Sequence, residues 1–346
     1  MRLRNAALKG VLAKGVLAGT AAAAGAAAFN RAVGQPAGSL PNLVGGEEGT
    51  YPWNGYRVAY TRRGAGPAVL LVHSIHAAAW SYEWRKNVDA LARHHTVYTV
   101  DLLGFGRSDR PALDYTARLY VSLLLDFAAE VVGEPCALVG SSLGAAFVVA
   151  AAARDPRRFP AVVLVGPVGV TRLSSPPTPA NDATYALLRS PLAGSALFNA
   201  LVTRPSMEFF LQRTYEDDRH LTAEVLDAYW SAAHQPGARY AAAAFVGMQL
   251  NLNVRDAARR LRQPVLICWG EQAKEVPESE LDAYQELLPG ARVERFAPCG
   301  SLPHDERAEA WNAVVLEFLG AALGRGEMTD AGAGADDGAE VLVRSA

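Results

Sequence analysis

Cysteine is scarce in this chain, and its scarcity narrows the chemistry. The three cysteines among 346 residues, Cys136, Cys268 and Cys299, fall in or beside predicted strands without metal-ligand spacing, so buried free thiols are expected. A dominant charge is lacking as well. The formal net charge is −2, and no basic stripe with interleaved aromatics speaks for nucleic acid. No internal repeat is visible, and nothing supports a metal or a redox cofactor; the cofactor expectation is none. Acidic residues are absent from positions 1–46, which carry Arg2, Arg4, Lys9, Lys14 and Arg31. There an Ala/Gly run, Gly15 to Phe29, is followed by no second apolar stretch. At about 1.5 Å per residue it is shorter than a bilayer core, so a full span is not expected. Basic residues, a short apolar run and the small residues Ala26-Ala27-Ala28 read either as an export signal or membrane-proximal anchor, or as a weakly structured extension. Membrane proximity through residues 1–30 follows from the first reading, and localisation stays open between the two. From residue 324 on, Gly, Ala and Asp dominate, and a disordered tail is expected.

What is present is ordinary globular material. Hydrophobic residues make up 50% and charged residues 20%, enough to bury a sizeable core. From Tyr51, strand and helix signals alternate. Strands are predicted at Tyr56 to Arg62, Ala68 to Val72, Thr96 to Leu102, Cys136 to Val139, Ala161 to Val165, Pro264 to Trp269 and Arg292 to Phe296. Helices are expected over Trp80 to Arg93, Ala145 to Arg154 and Arg307 to Leu323. Continuous apolar strands alternating with helices imply a mainly parallel α/β sheet covered on both faces. Between Val170 and Leu261 the strand signal vanishes and helical periodicity takes over. Residues 170–262 therefore read as an inserted helical cap between two parts of one core, 51–169 and 263–323.

The sharpest local signal is Gly140-Ser141-Ser142-Leu143-Gly144, a G-x-S-x-G run between an apolar strand and an alanine-rich helix. That is the setting of a nucleophile elbow, whose glycines let the chain turn tightly enough to lift the Ser142 hydroxyl off the sheet. Further motifs surround it in order: Leu71-Val72-His73-Ser74, Asp101 to Ser108, Trp269-Gly270-Glu271-Gln272, and Cys299 to His304.

With these motifs the chain resembles the α/β-hydrolase superfamily over about residues 51–323. The resemblance implies acyl transfer by a serine, an acid and a histidine, in that chain order. A hydroxyl is a poor nucleophile until a base takes its proton, and the imidazole needs a carboxylate to orient it. Ser142 matches the nucleophile. The acid position holds Ala273 and the histidine position Ser301. The resemblance further implies an oxyanion hole from the backbone N–H groups of Ile75 and Leu143, with His73, Ser74, His76, Ser141 and Ser301 around the pocket. His73 falls where the family's histidine is usually structural.

Two neighbours offer themselves as substitutes. His304 is three residues beyond Ser301, so on a helical turn both share a face; the competing reading is a surface histidine at a helix start. Glu275 flanks Ala273 as a surrogate acid or as a solvated carboxylate. Asp305 and Glu306 read as favourable charges at a helix N-terminus. Trp80 and Trp84 read as core packing, and a dehalogenase is excluded because its chemistry wants a carboxylate at the elbow. Three functions stay open: hydrolysis of a small or medium apolar ester-like substrate through Ser142, small-molecule binding without catalysis, and lyase or cyclase chemistry in the same pocket.

Overall fold

The computed structural model describes residues 23–332. Its frame is an eight-stranded sheet: β1 (Glu47–Trp53), β2 (Tyr56–Arg63), β3 (Ala68–Val72), β4 (Thr96–Val100), β5 (Cys136–Ser141), β6 (Val162–Val165), β7 (Val265–Gly270) and β8 (Arg292–Phe296). The order across the sheet is β1-β2-β4-β3-β5-β6-β7-β8. The β1–β2 and β2–β4 pairs are antiparallel; every pair from β4–β3 to β7–β8 is parallel. Every residue of β3 to β7 is buried, because helices cover both faces and no position along these strands meets water. All three cysteines are buried free thiols, and burial pushes the Cys136 thiol up to about 12.

Strand β1 was not expected. Its first half, Glu47 to Thr50, is polar and exposed, as an edge strand tolerates. The missed signal is Asn54-Gly55, both with positive φ (50° and 81°), the two-residue turn that matches the twist of a hairpin.

The helix expected over Trp80 to Arg93 is instead a 3₁₀ turn, Ser81–Trp84, followed by the short α2 (Val88–Leu91). Tertiary hydrogen bonds override local propensity here. The Ser81 N–H donates to Asp101, Glu83 accepts from Ser74, and the Asn87 amide donates to the His304 carbonyl. Trp80 and Trp84 are buried, as their packing role required. Helix α3 (Ala117–Phe127) was also unforeseen; Thr116 caps it by accepting from the Leu119 N–H. Helix α4 (Leu143–Arg154) follows β5, and its alanines pack flush on the sheet.

Between β6 and β7 lie α5 (Pro179–Arg189), α6 (Ala193–Leu201), α7 (Arg204–Thr214), α8 (Ala223–Ala233), α9 (Ala238–Val246) and α10 (Arg255–Arg260). Phe198, Val202, Met207, Leu211, Tyr215, Val225 and Tyr229 of this insertion form a small core of their own with Trp80, Tyr82 and Leu302. Residues 23–33 form helix α1, which lies against the insertion. The Asn30 amide donates to the Leu192 carbonyl, and Asn199 donates to Asn30. The extension expected over 1–46 thus contains a helix, and residues 1–22 lie outside the described residues. After β7 and β8 come α11 (Glu278–Leu287), α12 (Pro303–Glu306) and α13 (Ala308–Gly332). Helix α13 runs through the start of the tail expected to be disordered, and residues 333–346 are outside the described part.

Helix α12 fastens the insertion to the sheet. The Asp305 carboxylate, 1% exposed, pairs with Arg85 at 2.8 Å and Lys86 at 2.6 Å, and accepts from the Tyr215 hydroxyl at 2.6 Å. Glu306 accepts from the backbone N–H groups of Gly300, Glu216 and Asp217. The helix-terminus role expected for these two acids is therefore secondary to buried pairing. Removing Asp305 strands a guanidinium that is itself only 12% exposed. Asp305→Ala is expected to lower unfolding free energy by about 3–5 kcal/mol, read as a drop in the urea midpoint at unchanged slope.

Candidate active site

Strand β3 lies between β4 and β5, so the connections on its two sides leave in opposite directions. A crevice opens at the carboxyl ends of the strands where such an order reverses. The loops after β3, β5, β6, β7 and β8 supply Ser74, Ile75 and His76, then Ser142, Gly166, Glu275, and Ser301 and Leu302, around one cavity of about 410 Å³. The insertion closes the other side with Leu201, Val202, Met207, Phe210, Leu211, Tyr229, Phe245 and Val246.

Ser142 stands at the turn with φ 52° and ψ −121°. A non-glycine residue in this region costs on the order of 1–3 kcal/mol and persists only where its surroundings impose it. Those surroundings are legible. A Cβ on Gly144 would lie 2.3 Å from the His73 carbonyl oxygen, and one on Gly140 2.9 Å from the Ala145 backbone. The elbow exists because both flanking positions are bare. Among the described residues, neither the Ile75 N–H nor the Leu143 N–H donates to any acceptor; Leu143 follows Ser142 at the start of α4, and Ile75, three residues beyond β3, lines the same cavity as Ser142. Two unpaired amides beside a raised hydroxyl are what an oxyanion needs.

The histidines are the decisive group. His73 is fully buried with both ring nitrogens engaged: Nδ1 with the Ser74 carbonyl at 2.6 Å, and Nε2 accepting from the Leu102 N–H at 3.1 Å. It braces the loop and does not line the cavity, in line with its structural reading and against its pocket placement. His76 does line the cavity. Its Nδ1 accepts from the Ala78 N–H at 3.3 Å, which leaves the hydrogen of the neutral ring on Nε2. Burial holds its pKa down at about 4, against the pull of Glu83. His76 is therefore a neutral donor near pH 7, unable to take a proton from Ser142 through Nε2.

His304 is neither the surface residue nor the cavity base that its position suggested. It is 0% exposed, packed against the Trp84 ring (centroids 4.5 Å apart) and Trp311, and absent from the cavity wall. Its Nε2 lies 3.2 Å from Oε1 of Glu83, within ion-pair range but off the line of a good hydrogen bond. Glu275, the surrogate acid, stands at the cavity mouth paired with Arg213 at 3.1 Å and 44% exposed; it makes no contact with His304. Ser141 is buried behind the wall, whereas Ser301 lines it with an unpartnered hydroxyl.

The residue that sequence reasoning missed is Glu83. It reads as one more charge on a helix, yet it is 2% exposed and lines the cavity with Ser142. Its Oε2 accepts from both the N–H and the hydroxyl of Ser74, at 2.8 and 2.6 Å. Burial alone pushes its carboxyl up, but His304, Ser141 and Ser74 outweigh burial and bring it to about 2. One signal was available: Ser74 follows His73 at the end of an apolar strand, where the resemblance implies a His-Gly dipeptide, and a buried hydroxyl there needs a partner.

These shifts set an acid profile. Glu83 is depressed from 4.5 to about 2 and His76 from 6.5 to about 4. Both contribute stability that is complete above the higher value of each pair and is lost as pH falls through the lower one. Stability should therefore fall from about pH 6.5 downward, with the Glu83 part confined between 4.5 and 2. Glu83→Gln should flatten that lower window in acid-unfolding curves, while leaving the upper one.

The alpha/beta hydrolase fold family model matches residues 67–308. An uncharacterised protein of Mycobacterium tuberculosis is 30% identical over 277 residues, covering 77% of this chain and 79% of its own length. A 2-hydroxy-6-oxo-6-phenylhexa-2,4-dienoate hydrolase of Burkholderia cepacia is 26% identical over 76% of this chain and 91% of its own. Among solved structures, a meta-cleavage product hydrolase from Pseudomonas fluorescens superposes with a TM-score of 0.67 at 23% identity, over 82% of this chain and 100% of that one.

Proposed function

From the premise that the chain belongs to the α/β-hydrolase fold family, we propose that it hydrolyses neutral, medium-sized apolar esters, slowly, through Ser142 and without a complete Ser–His–acid triad. One observation carries the reading: the strained Ser142 and Ile75 line a mostly apolar cavity, and the backbone amides of Ile75 and of Leu143, the residue after Ser142, donate to no acceptor among the described residues. The hydroxyl attacks the ester carbonyl, and the developing oxyanion takes the two N–H groups. Collapse of the tetrahedral adduct breaks the ester C–O bond and expels the alcohol, which takes up the proton given by Ser142; water then attacks the acyl-serine, releasing the acid and restoring the hydroxyl.

The proton of Ser142 needs an acceptor. Neither His76 nor His304 offers a ring nitrogen to it, and Ala273 and Ser301 offer no titratable group. Of the two carboxylates on the cavity wall, Glu275 is paired with Arg213, which leaves Glu83, with His304 3.2 Å from its Oε1. A carboxylate at about 2 is a weak base near neutrality, and general-base efficiency is best when the pKa lies near the working pH. Turnover is accordingly slow, on the order of the 10³–10⁴-fold over water that an oxyanion hole and binding alone sustain.

Substrate charge follows from the wall. The lining carries Glu83 and Glu275 and no Lys or Arg. The Burkholderia relative's named substrate is a dienoate, a carboxylate; a negative charge in this cavity would meet the Glu83 carboxylate and no Lys or Arg on the lining, Arg213 at the mouth being already paired with Glu275. Neutral esters fit instead. The mismatch between the carboxylate and its task favours one further reading, a binder that holds an apolar carbonyl compound at the oxyanion amides.

Steady-state hydrolysis of a neutral aryl ester, against the same ester bearing a terminal carboxylate, tests the proposal. The neutral ester should turn over, the charged one at least about tenfold slower, and Ser142→Ala should reduce the rate to background. Saturable ligand binding with no turnover in the folded protein would replace hydrolysis by the binding reading.

A further inference from the structure

The apolar surface of the molecule is gathered in one region. Of the large hydrophobic side chains exposed among the described residues, all but Leu43 lie on the insertion: Leu187, Leu192, Leu197, Phe209, Phe210 and Val246. The helices that bear them are packed on one another, α5 with α6 and α9, and α6 with α7. Phe209 and Phe210 are adjacent, 56% and 50% exposed, with their rings edge to face at 5.5 Å. Phe210 and Val246 also line the cavity, so the patch and the cavity mouth are continuous. Water-facing aromatic pairs of this kind are costly in a monomer unless something covers them.

Charge at the patch is neutralised locally. Arg189 pairs with Asp114, Arg204 with Asp227 and Arg213 with Glu275; Glu208 is exposed on α7. Entry of the patch into an apolar medium thus meets little net charge. In the sequence, positive charge is gathered ahead of and within α1. Residues 1–31 hold Arg2, Arg4, Lys9, Lys14 and Arg31 with no acidic residue, and this segment ends in α1, whose Asn30 is bonded to Leu192 and Asn199 beside the patch.

We propose that this face docks on a lipid bilayer bearing anionic headgroups, with Phe209 and the exposed leucines in the acyl boundary and the N-terminal cations at the headgroups, so that the cavity mouth opens onto the membrane. Shallow insertion of an apolar face combined with basic residues is the physics of a surface-lying protein, and two such signals together hold where either alone is marginal. The cavity then draws its apolar ligand from the bilayer. Docking is independent of whether Ser142 reacts.

Flotation of the full chain with phosphatidylcholine vesicles, with and without an anionic phospholipid, tests it. The chain should float with the anionic vesicles, and Leu197→Glu/Phe209→Glu should weaken binding at least about tenfold. That variant should keep its far-UV spectrum and its rate on the water-soluble ester, since neither residue lines the cavity. Absence of ester turnover in an unsubstituted chain that floats speaks against the hydrolase and not against docking. Undiminished flotation of the variant, abolished by high salt, would assign binding to the basic segment alone and overturn the face. No flotation, with a dimer by light scattering that the variant dissociates, would make the occupant a second copy of the chain.

Discussion

Three consecutive ionisable residues, His304, Asp305 and Glu306, are buried in one short helix, and the architecture around the cavity depends on satisfying them. Charges removed from water are tolerated only when each finds its partner. Arg85 and Lys86 answer Asp305, backbone amides of the insertion answer Glu306, and His304 is packed between Trp84 and Trp311 with its Nε2 3.2 Å from Glu83. Because these partners lie on the 3₁₀ turn after β3 and on the segment after α7, the same cluster fixes both to the end of β8. The cavity walls are held in register by polar pairing as much as by apolar contact.

That constraint explains the chemistry of the site. A turn pinned from Ser81 to Asn87 places Glu83 on the cavity wall that Ser142 also lines, with His304 3.2 Å from its Oε1. The imidazole that the family's pattern would place at position 301 is absent, and the one three residues on is spent on structure. On the proposed reading, what the chain keeps of the family's apparatus is its backbone: the elbow, the two free amides and the crevice beside β3. Backbone parts depend on glycine positions and strand order, which are intact here, whereas proton transfer depends on side chains that have changed.

The sequence made the fold legible because strands buried on both faces read as continuous apolar runs, and because G-x-S-x-G between a strand and a helix has a steric reason. Edge strand β1 escaped because one exposed face carries no apolar pattern, although Asn54-Gly55 marked its turn. The Trp80 to Arg93 segment was misread because long-range bonds from Asp101, Ser74 and His304 decide its conformation, and no local rule reports them. Glu83 escaped for the same reason. A lone glutamate among aromatics carries no mark of burial until its partners, nine and more than two hundred residues away in sequence, are brought beside it. The replacements at Ala273 and Ser301 were readable directly, and so was the unusual Ser74.

The central claim is that Ser142 is a nucleophile whose proton passes to a carboxylate instead of an imidazole. Labelling of the full chain with a fluorophosphonate, followed by intact mass as a function of pH, tests it most directly. A carboxylate at about 2 predicts one adduct per chain, lost in Ser142→Ala, forming at a rate that is flat from about pH 3.5 to pH 8. An inflection near 4, where His76 is held, or near the ordinary histidine value of about 6.5 would mean that an imidazole is the base after all, and a folded protein that takes no label would mean that Ser142 is not activated.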